Sequence, residues 1–478
     1  MANDVQLLQP HGDPLAIANA LRRWTPQSET FAIFAVKMAV SALYILALDF
    51  AYRAYLPKFW GSWGFLHFPK SDTEYVLMVL VALVPAAWLR SANERPSTLF
   101  QLILYLLVYV PTIIVSYNAV PSLNDRLFSL WASLFAGTAL IAAITSFLPL
   151  YLGRIRLPPN HRSVLIGLAV AAMLSLVIYA NGSNIDIFAF RDIYKHRFAV
   201  AKQESFAPAV YSYWWLSGAI LPLGLVWATH TRNFLLFFIC FVLQIIMFGV
   251  SASKAAGLTA FATPLLYIYA CYFRKSFGIV MISIFAIFVM SAGLFATNQG
   301  IAGIIISTLL ARTIGIPGIT AIQYDEFFST YGYTYWSHVN VVRLFIDYPY
   351  SRDIPYEVGM HFYQNDLLSW NANFWASDGI AAFGLPGIII ISILAGITFR
   401  VLDQSCKHID PRVSAAWSLT PAMALANVGL FTCLLTDGFG IMILIAFMLP
   451  ATRLIRPDTA DTAERVLDGP RLPAGQLA

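Results

Sequence analysis

Charge is what this chain has least of. Only 12% of its 478 residues are Asp, Glu, Lys or Arg, while 59% are hydrophobic. A soluble domain carries roughly 25% charged and about 45–50% apolar residues. The shortage rules out the string of soluble domains that length alone would suggest. The net charge of +5 is dispersed and gives no ground for a nucleic-acid partner. Cysteine is scarce too. Cys240, Cys271, Cys406 and Cys433 form no CxxC pair, and three of them sit in apolar runs, so neither a disulfide framework nor a zinc site is indicated. HxxxH and DxD spacings are missing, which leaves a metal site without a motif, and no cofactor is expected. Internal repeats and heptads are absent as well. The polar stretch up to Thr30 lacks the charged, apolar, small-residue order of a cleaved signal, so the first apolar helix is expected to do the targeting.

What the chain has is apolar runs, recurring from Phe31 to Leu449. A spanning helix needs ~20 apolar residues. The pattern predicts an all-α polytopic membrane protein with twelve spans: 31–50, 75–89, 99–116, 127–151, 163–181, 212–229, 233–250, 255–273, 276–297, 379–399, 413–433 and 437–452. Lys and Arg in the short loops fall almost entirely on one side, from Arg22 and Arg23 to Arg453 and Arg456, against Arg126 and Lys254 on the other. By the positive-inside rule both termini are then cytoplasmic. The expected organisation is a cytoplasmic segment 1–30, one transmembrane domain 31–452 and a cytoplasmic tail 453–478. Outer loops fall at 51–74, 182–211 and 298–378, and the last is too long for a mere connector.

That large loop is dense in aromatics, among them Tyr324, Tyr335, Trp336 and Trp375. Aromatic faces pack on the C–H faces of sugars, so the cluster suggests a carbohydrate site outside the cytoplasm. The plainer alternative is an interfacial aromatic belt. Arg312 and Arg343 in the same loop, Arg191 and Arg197 in the 182–211 loop, and Lys254 in "FGVSASKAAGLT" suit phosphate oxygens. Their plainer roles are snorkelling or ion pairing with acidic neighbours. His338, in "YTYWSHVN", can take a proton from an attacking hydroxyl, although a lone histidine is more often a packing residue. In "SWNANFWASDGIAAFGLPG", Ser377 or Asp378 is expected to cap a helix beginning at Gly379. Gly379, Gly384 and Gly387 would let neighbouring helices approach.

Five stretches in this order resemble the Wzy-type polymerases, the polytopic enzymes that join repeat units of O-antigen and exopolysaccharide. They are "NIDIFAFRDIYKHRF", "YWWLSGAILPLGLVWATHTRN", "FGVSASKAAGL", "RTIGIPGITAIQYDEFF" with "YWSHVN", and "NANFWASDGIAAFGLPGI". Together they span about residues 180–390, and the N-terminal half offers only hydropathy. Ala252 stands where the family pattern has glycine before its lysine. The resemblance implies a GT-C-like multi-helix glycosyltransferase of the bacterial inner membrane, with its active site facing the periplasm. Its donor and acceptor would be undecaprenyl-diphosphate-linked oligosaccharides, and a chain-length regulator would be a partner. It implies roles for Arg312, Arg197, Lys254, Arg343 and Arg191 at the diphosphate, and for Tyr194, Asn373 and the loop aromatics at the glycan. His338 or Asp378 would be the base. An O-antigen ligase and a flippase of the same glycan lipids are the rival expectations.

Overall fold

The structure is a computed structural model that describes residues 30–153, 158–182, 206–251, 253–295, 310–370 and 374–449; the side chains of 159–163 and 312–314 lie outside that description. Among the described residues the chain is helical throughout, with no strand. Among the described residues nine helices are long and apolar enough to cross a membrane. They fall in the expected runs. Of these, α1 is Phe31–Trp60, α3 Pro96–Ala119, α4 Asp125–Phe147 and α5 Pro159–Asn181. Next come α6 (Ala207–Thr231), α7 (Phe234–Ser251), α8 (Lys254–Tyr272), α9 (Phe277–Phe295) and α13 (Leu385–Cys406).

The other three expected spans are not continuous helices of spanning length. The run 75–89 is a 12-residue helix α2, Asp72–Leu83, which tightens into a 3-10 turn at Val84–Trp88. Pro85 explains the break, because its ring and missing N–H end regular α-helical pairing. The runs 413–433 and 437–452 divide into α14 (Pro411–Trp417), α15 (Leu419–Leu425), α16 (Leu430–Leu435) and α17 (Phe439–Met448). Gly429 in extended backbone and Gly438 at φ 89° separate the last three. Hydropathy averages over such breaks, and the left-handed backbone at Gly438 is one that glycine adopts at no steric cost.

α3 is the central post, since 94% of its apolar window is buried, against 6% for α5 at the periphery. Small residues set the closest helix contacts. α1 packs along α9 with Gly293 against Phe50 and Ala51. α4 packs along α13, with Gly137 facing Ser392 and Gly396 facing Ile144. Three π-helical segments interrupt the bundle, at Tyr105–Tyr109, Leu216–Ile220 and Leu310–Gly315. Each lies just ahead of a proline: Pro111, Pro222 and Pro317. A proline cannot donate to the carbonyl four residues back and its ring crowds that carbonyl, so the preceding turn widens.

Two further helices occupy the segment before α13: α10 (Ile316–Tyr331), which packs on the second half of α3, and α11 (Ile354–Tyr363). A short helix α12, Ser377–Phe383, then leads through Gly384 (φ 68°) into α13. Here the glycines expected to allow close approach do so. A Cβ on Gly379 would overlap the Gly387 carbonyl, and one on Gly387 would overlap the Gly379 carbonyl. Pro386 lies in the first turn of α13, where its missing N–H costs no helical bond.

Candidate functional site

Three pieces of chain converge near α12: the turn after α10, the first turn of α12, and the start of α16. α10 stops at Gly332, which has φ 103°. The chain is then stitched to α12 by two backbone bonds, Thr334 N–H to the Ala381 carbonyl (2.8 Å) and Tyr335 N–H to the Ala382 carbonyl (3.3 Å). Tyr335 and Trp336 both adopt left-handed backbone, at φ 49° and 64°. For bulky residues this costs roughly 1–2 kcal/mol each and persists only where the surroundings impose it. Here the Trp336 indole N–H donates to the Asp378 carbonyl at 3.1 Å, and its ring stands edge-on to Phe383 and Phe431. The strained turn delivers His338 to the side chain of Asp378.

The imidazole Nε2 of His338 lies 3.3 Å from Asp378 Oδ1, and Nδ1 lies 2.9 Å from the Thr334 hydroxyl. Asp378 Oδ2 accepts the backbone N–H of Phe431 at 3.0 Å, in the first turn of α16. Both side chains are largely enclosed, 16% exposed for His338 and 9% for Asp378. Gly429 makes this seat possible, because a Cβ there would overlap the Asp378 carboxyl group.

The pair opens onto a cavity of about 380 Å3. Tyr324, Tyr348, Ile354, Pro355 and Val428 supply apolar wall, while Asn340, Arg343, Asp353, Ser377 and Thr432 supply polar groups. Arg343 is exposed at the rim with its guanidinium 5.2 Å from the Tyr348 ring centroid. A larger groove, about 530 Å3, runs beside α6, α7 and α8, but its lining is almost wholly apolar and holds no acid or base beyond Arg232. Among the described residues no three His, Cys, Asp or Glu side chains converge as metal ligands would.

The expected site residues fare unequally. His338 and Asp378 meet, and Tyr324 and Arg343 join them in the cavity wall. Trp336 supports the Asp378 backbone, and Tyr335 stands half exposed beside Phe383. Trp375 is a correction. It is fully buried and donates its indole N–H to Ser392 at 3.1 Å, so it holds α12 to α13 and has no surface for a glycan. Asp378 as cap of its own helix is another. α12 begins at Ser377 after Ala376, with no side-chain cap, and the carboxylate serves α16 instead. Lys254 opens α8 as an exposed residue and is not in the cavity lining. Arg191, Tyr194, Arg197 and Asn373 lie outside the described residues, as does the side chain of Arg312. Among the described lining residues the cavity therefore pairs one guanidinium, Arg343, with two carboxylates, Asp353 and Asp378.

The rest of the large aromatic cluster packs on itself. Trp63, Tyr363 and Trp370 pack together with ring centroids 4.8–5.3 Å apart, Trp63 stacked on Trp370 and Tyr363 tilted against both. Burial pushes the Tyr363 phenol up to about 12 and keeps it a neutral donor, bonded to the Trp63 carbonyl at 3.0 Å. Sequence reasoning missed Thr334, Asn340, Asp353, Gly429 and Thr432. Thr334 stands four residues before His338, a spacing that a search for its partners could have tried. Gly429 and Thr432 were hidden inside what hydropathy reads as an uninterrupted span.

An enclosed His–Asp pair at the mouth of a bundle of apolar helices belongs to the class of polytopic helical membrane proteins with a polar chamber. Searches against family models, curated proteins and solved structures return no match to this chain.

Proposed function

We propose that this chain is a membrane glycosyltransferase that polymerises undecaprenyl-diphosphate-linked oligosaccharide repeat units at the periplasmic face of a bacterial inner membrane. The observation that carries the reading is the His338–Asp378 pair, enclosed in a cavity whose wall mixes aromatic and hydroxyl- or amide-bearing side chains. Such a chamber suits a sugar hydroxyl that must lose a proton while its ring packs on an aromatic face. On this reading both termini are cytoplasmic, and the broken runs at 72–88 and 411–448 complete a twelve-span, GT-C-like topology. Irregular backbone at membrane depth is tolerated where it is buried in protein or lines a cavity.

In the reaction, the acceptor hydroxyl loses its proton to the His338–Asp378 pair as its oxygen bonds the anomeric carbon of the donor. The bond from that carbon to the diphosphate breaks, and the diphosphate leaves with the electron pair. Arg343 at the rim meets the growing negative charge, together with Arg312, Arg197, Arg191 and Lys254 where they reach it. Removal of one such charge partner commonly costs ~10²–10³ in turnover. Tyr335 and Trp336 hold the glycan, with Tyr194 and Asn373 as further contacts, while Tyr324, only 1% exposed and donating its hydroxyl to the Trp370 carbonyl, backs the cavity wall.

The test is direct. Purified protein and lipid-linked repeat units alone should give polymer. A product formed only when lipid A core is added would assign a ligase, and none in either case would reject glycosyl transfer. Arg312→Ala should abolish polymer at unchanged protein level, and full-length polymer from that variant would remove Arg312 from the diphosphate site.

A further inference from the structure

The His338–Asp378 pair leaves open which of its members takes the proton, and the hydrogen bonds around it leave the two unequally free to meet a ligand. An imidazole has only two ring nitrogens. Both of those on His338 face protein groups, Nδ1 the Thr334 hydroxyl at 2.9 Å and Nε2 Asp378 Oδ1 at 3.3 Å. In the neutral ring one arrangement satisfies every group. Nε2–H donates to Asp378, the Thr334 hydroxyl donates to Nδ1, and the Ala381 carbonyl still receives the Thr334 backbone N–H at 2.8 Å. If Nδ1 gains a proton, the Thr334 hydroxyl turns to the same Ala381 carbonyl, 3.0 Å away, and accepts from Nδ1–H. Thr334 is fully buried, so it has no water to serve instead.

The carboxylate is less committed. Oδ1 is met by His338 and Oδ2 by the Phe431 N–H, while an ionised carboxyl offers about four acceptor positions. We propose that Asp378 is the catalytic residue that receives the proton of a ligand hydroxyl, and that His338 and Thr334 are positioning residues that orient its carboxylate through the imidazole. The chemical step rests on the glycosyl-transfer reading above; the assignment within the pair does not. The acceptor O–H breaks, its proton goes to a free lone pair of Asp378, and its oxygen bonds the anomeric carbon as the donor diphosphate leaves with the electron pair. The proton later passes from Asp378 to water. Arg343, Asp353, Tyr324 and Tyr348 are the other titratable groups facing this chamber from the surrounding elements.

Two measurements on the full-length protein in detergent test the assignment. The first is 15N NMR of ring-labelled histidine, with the His338 signals identified from His338→Gln. The neutral ring should be the Nε2–H form with Nδ1 accepting a hydrogen bond. Thr334→Val should release it to a mixture of forms, and Thr334→Ser should restore it. A wild-type ring with the proton on Nδ1 and a bare Nε2 would overturn the proposal, whatever the protein's reaction. The second is polymer formation from lipid-linked repeat units. Asp378→Asn should lower turnover about 10²–10⁴-fold, the range of a lost acid–base group. His338→Gln should fall well short of that loss, and Thr334→Ser should keep the wild-type rate while Thr334→Val drops about tenfold, the scale of one lost orienting contact. Equal losses from His338→Gln and Asp378→Asn would overturn it. If the wild-type protein makes no polymer, the glycosyl-transfer reading fails, and the NMR result still decides the assignment.

Discussion

Two aromatic clusters draw on the same large loop, one of them joined by Trp63 from just past the end of α1, and are built from the same residue types, yet they do different work. Trp63, Tyr363 and Trp370 pack ring against ring, and the Tyr363 hydroxyl donates to the Trp63 carbonyl. Tyr335 and Trp336 sit on left-handed backbone, pinned to α12, with Tyr335 half exposed. The first cluster is relaxed and holds the chain before α12 onto the end of α1. The second is strained and holds His338 against Asp378. The lesson is that aromatic density alone does not mark a binding surface. What separates the two clusters is backbone strain and the presence of the His338–Asp378 pair beneath.

The sharpest way to break the second region without touching an aromatic is Gly429→Ala. The added methyl would overlap the Asp378 carboxyl group, so the carboxylate must leave its seat beside His338 and the Phe431 N–H. Turnover should fall by about 10²-fold or more, because misplacing a reacting group by ~1 Å is enough for that. The check is polymer formation measured beside the melting temperature of the same preparation. Wild-type turnover from a folded Gly429→Ala protein would show that the seat is not needed.

The first region should answer in the opposite way. Trp370 is 4% exposed, stacks on Trp63 and lies tilted against Tyr363. Trp370→Ala should cost about 3–5 kcal/mol of stability, the usual range for a large buried aromatic. The molecules that remain folded should turn over normally. Thermal melting in detergent and turnover per folded molecule separate the two effects. A variant that melts normally but loses turnover would place Trp370 in the site.

These contrasts also explain how far the sequence could be read. The long spans were legible because ~20 consecutive apolar residues leave few alternatives in a bilayer. α2 and α14 to α17 were not, since the same composition fills a continuous span and a set of short helices divided by Gly429 and Gly438. The pairing of His338 with Asp378 was not legible either. The two lie 40 positions apart, and it takes the Tyr335–Trp336 turn to bring them together. Trp375 misled for a related reason: it neighbours Asp378 in sequence, but it lies in the turn ahead of α12 with its ring directed inward to Ser392.

The smallest expected effect concerns the strain itself. At φ 49° a tyrosine carries a steric cost that glycine does not. Tyr335→Gly should therefore relieve about 1 kcal/mol of backbone strain. Part of that gain is offset by the greater freedom of glycine in the unfolded chain and by the lost ring contact with Phe383. The melting temperature should stay within a few degrees of wild type, whereas the concentration of repeat unit needed for half-maximal turnover should rise, because the exposed ring is gone from the approach to the cavity. A large fall in melting temperature would mean that Tyr335 belongs with Trp370 as a packing residue. An unchanged half-saturation would mean that the strain serves only to set His338 in place, with the ring itself taking no part in binding.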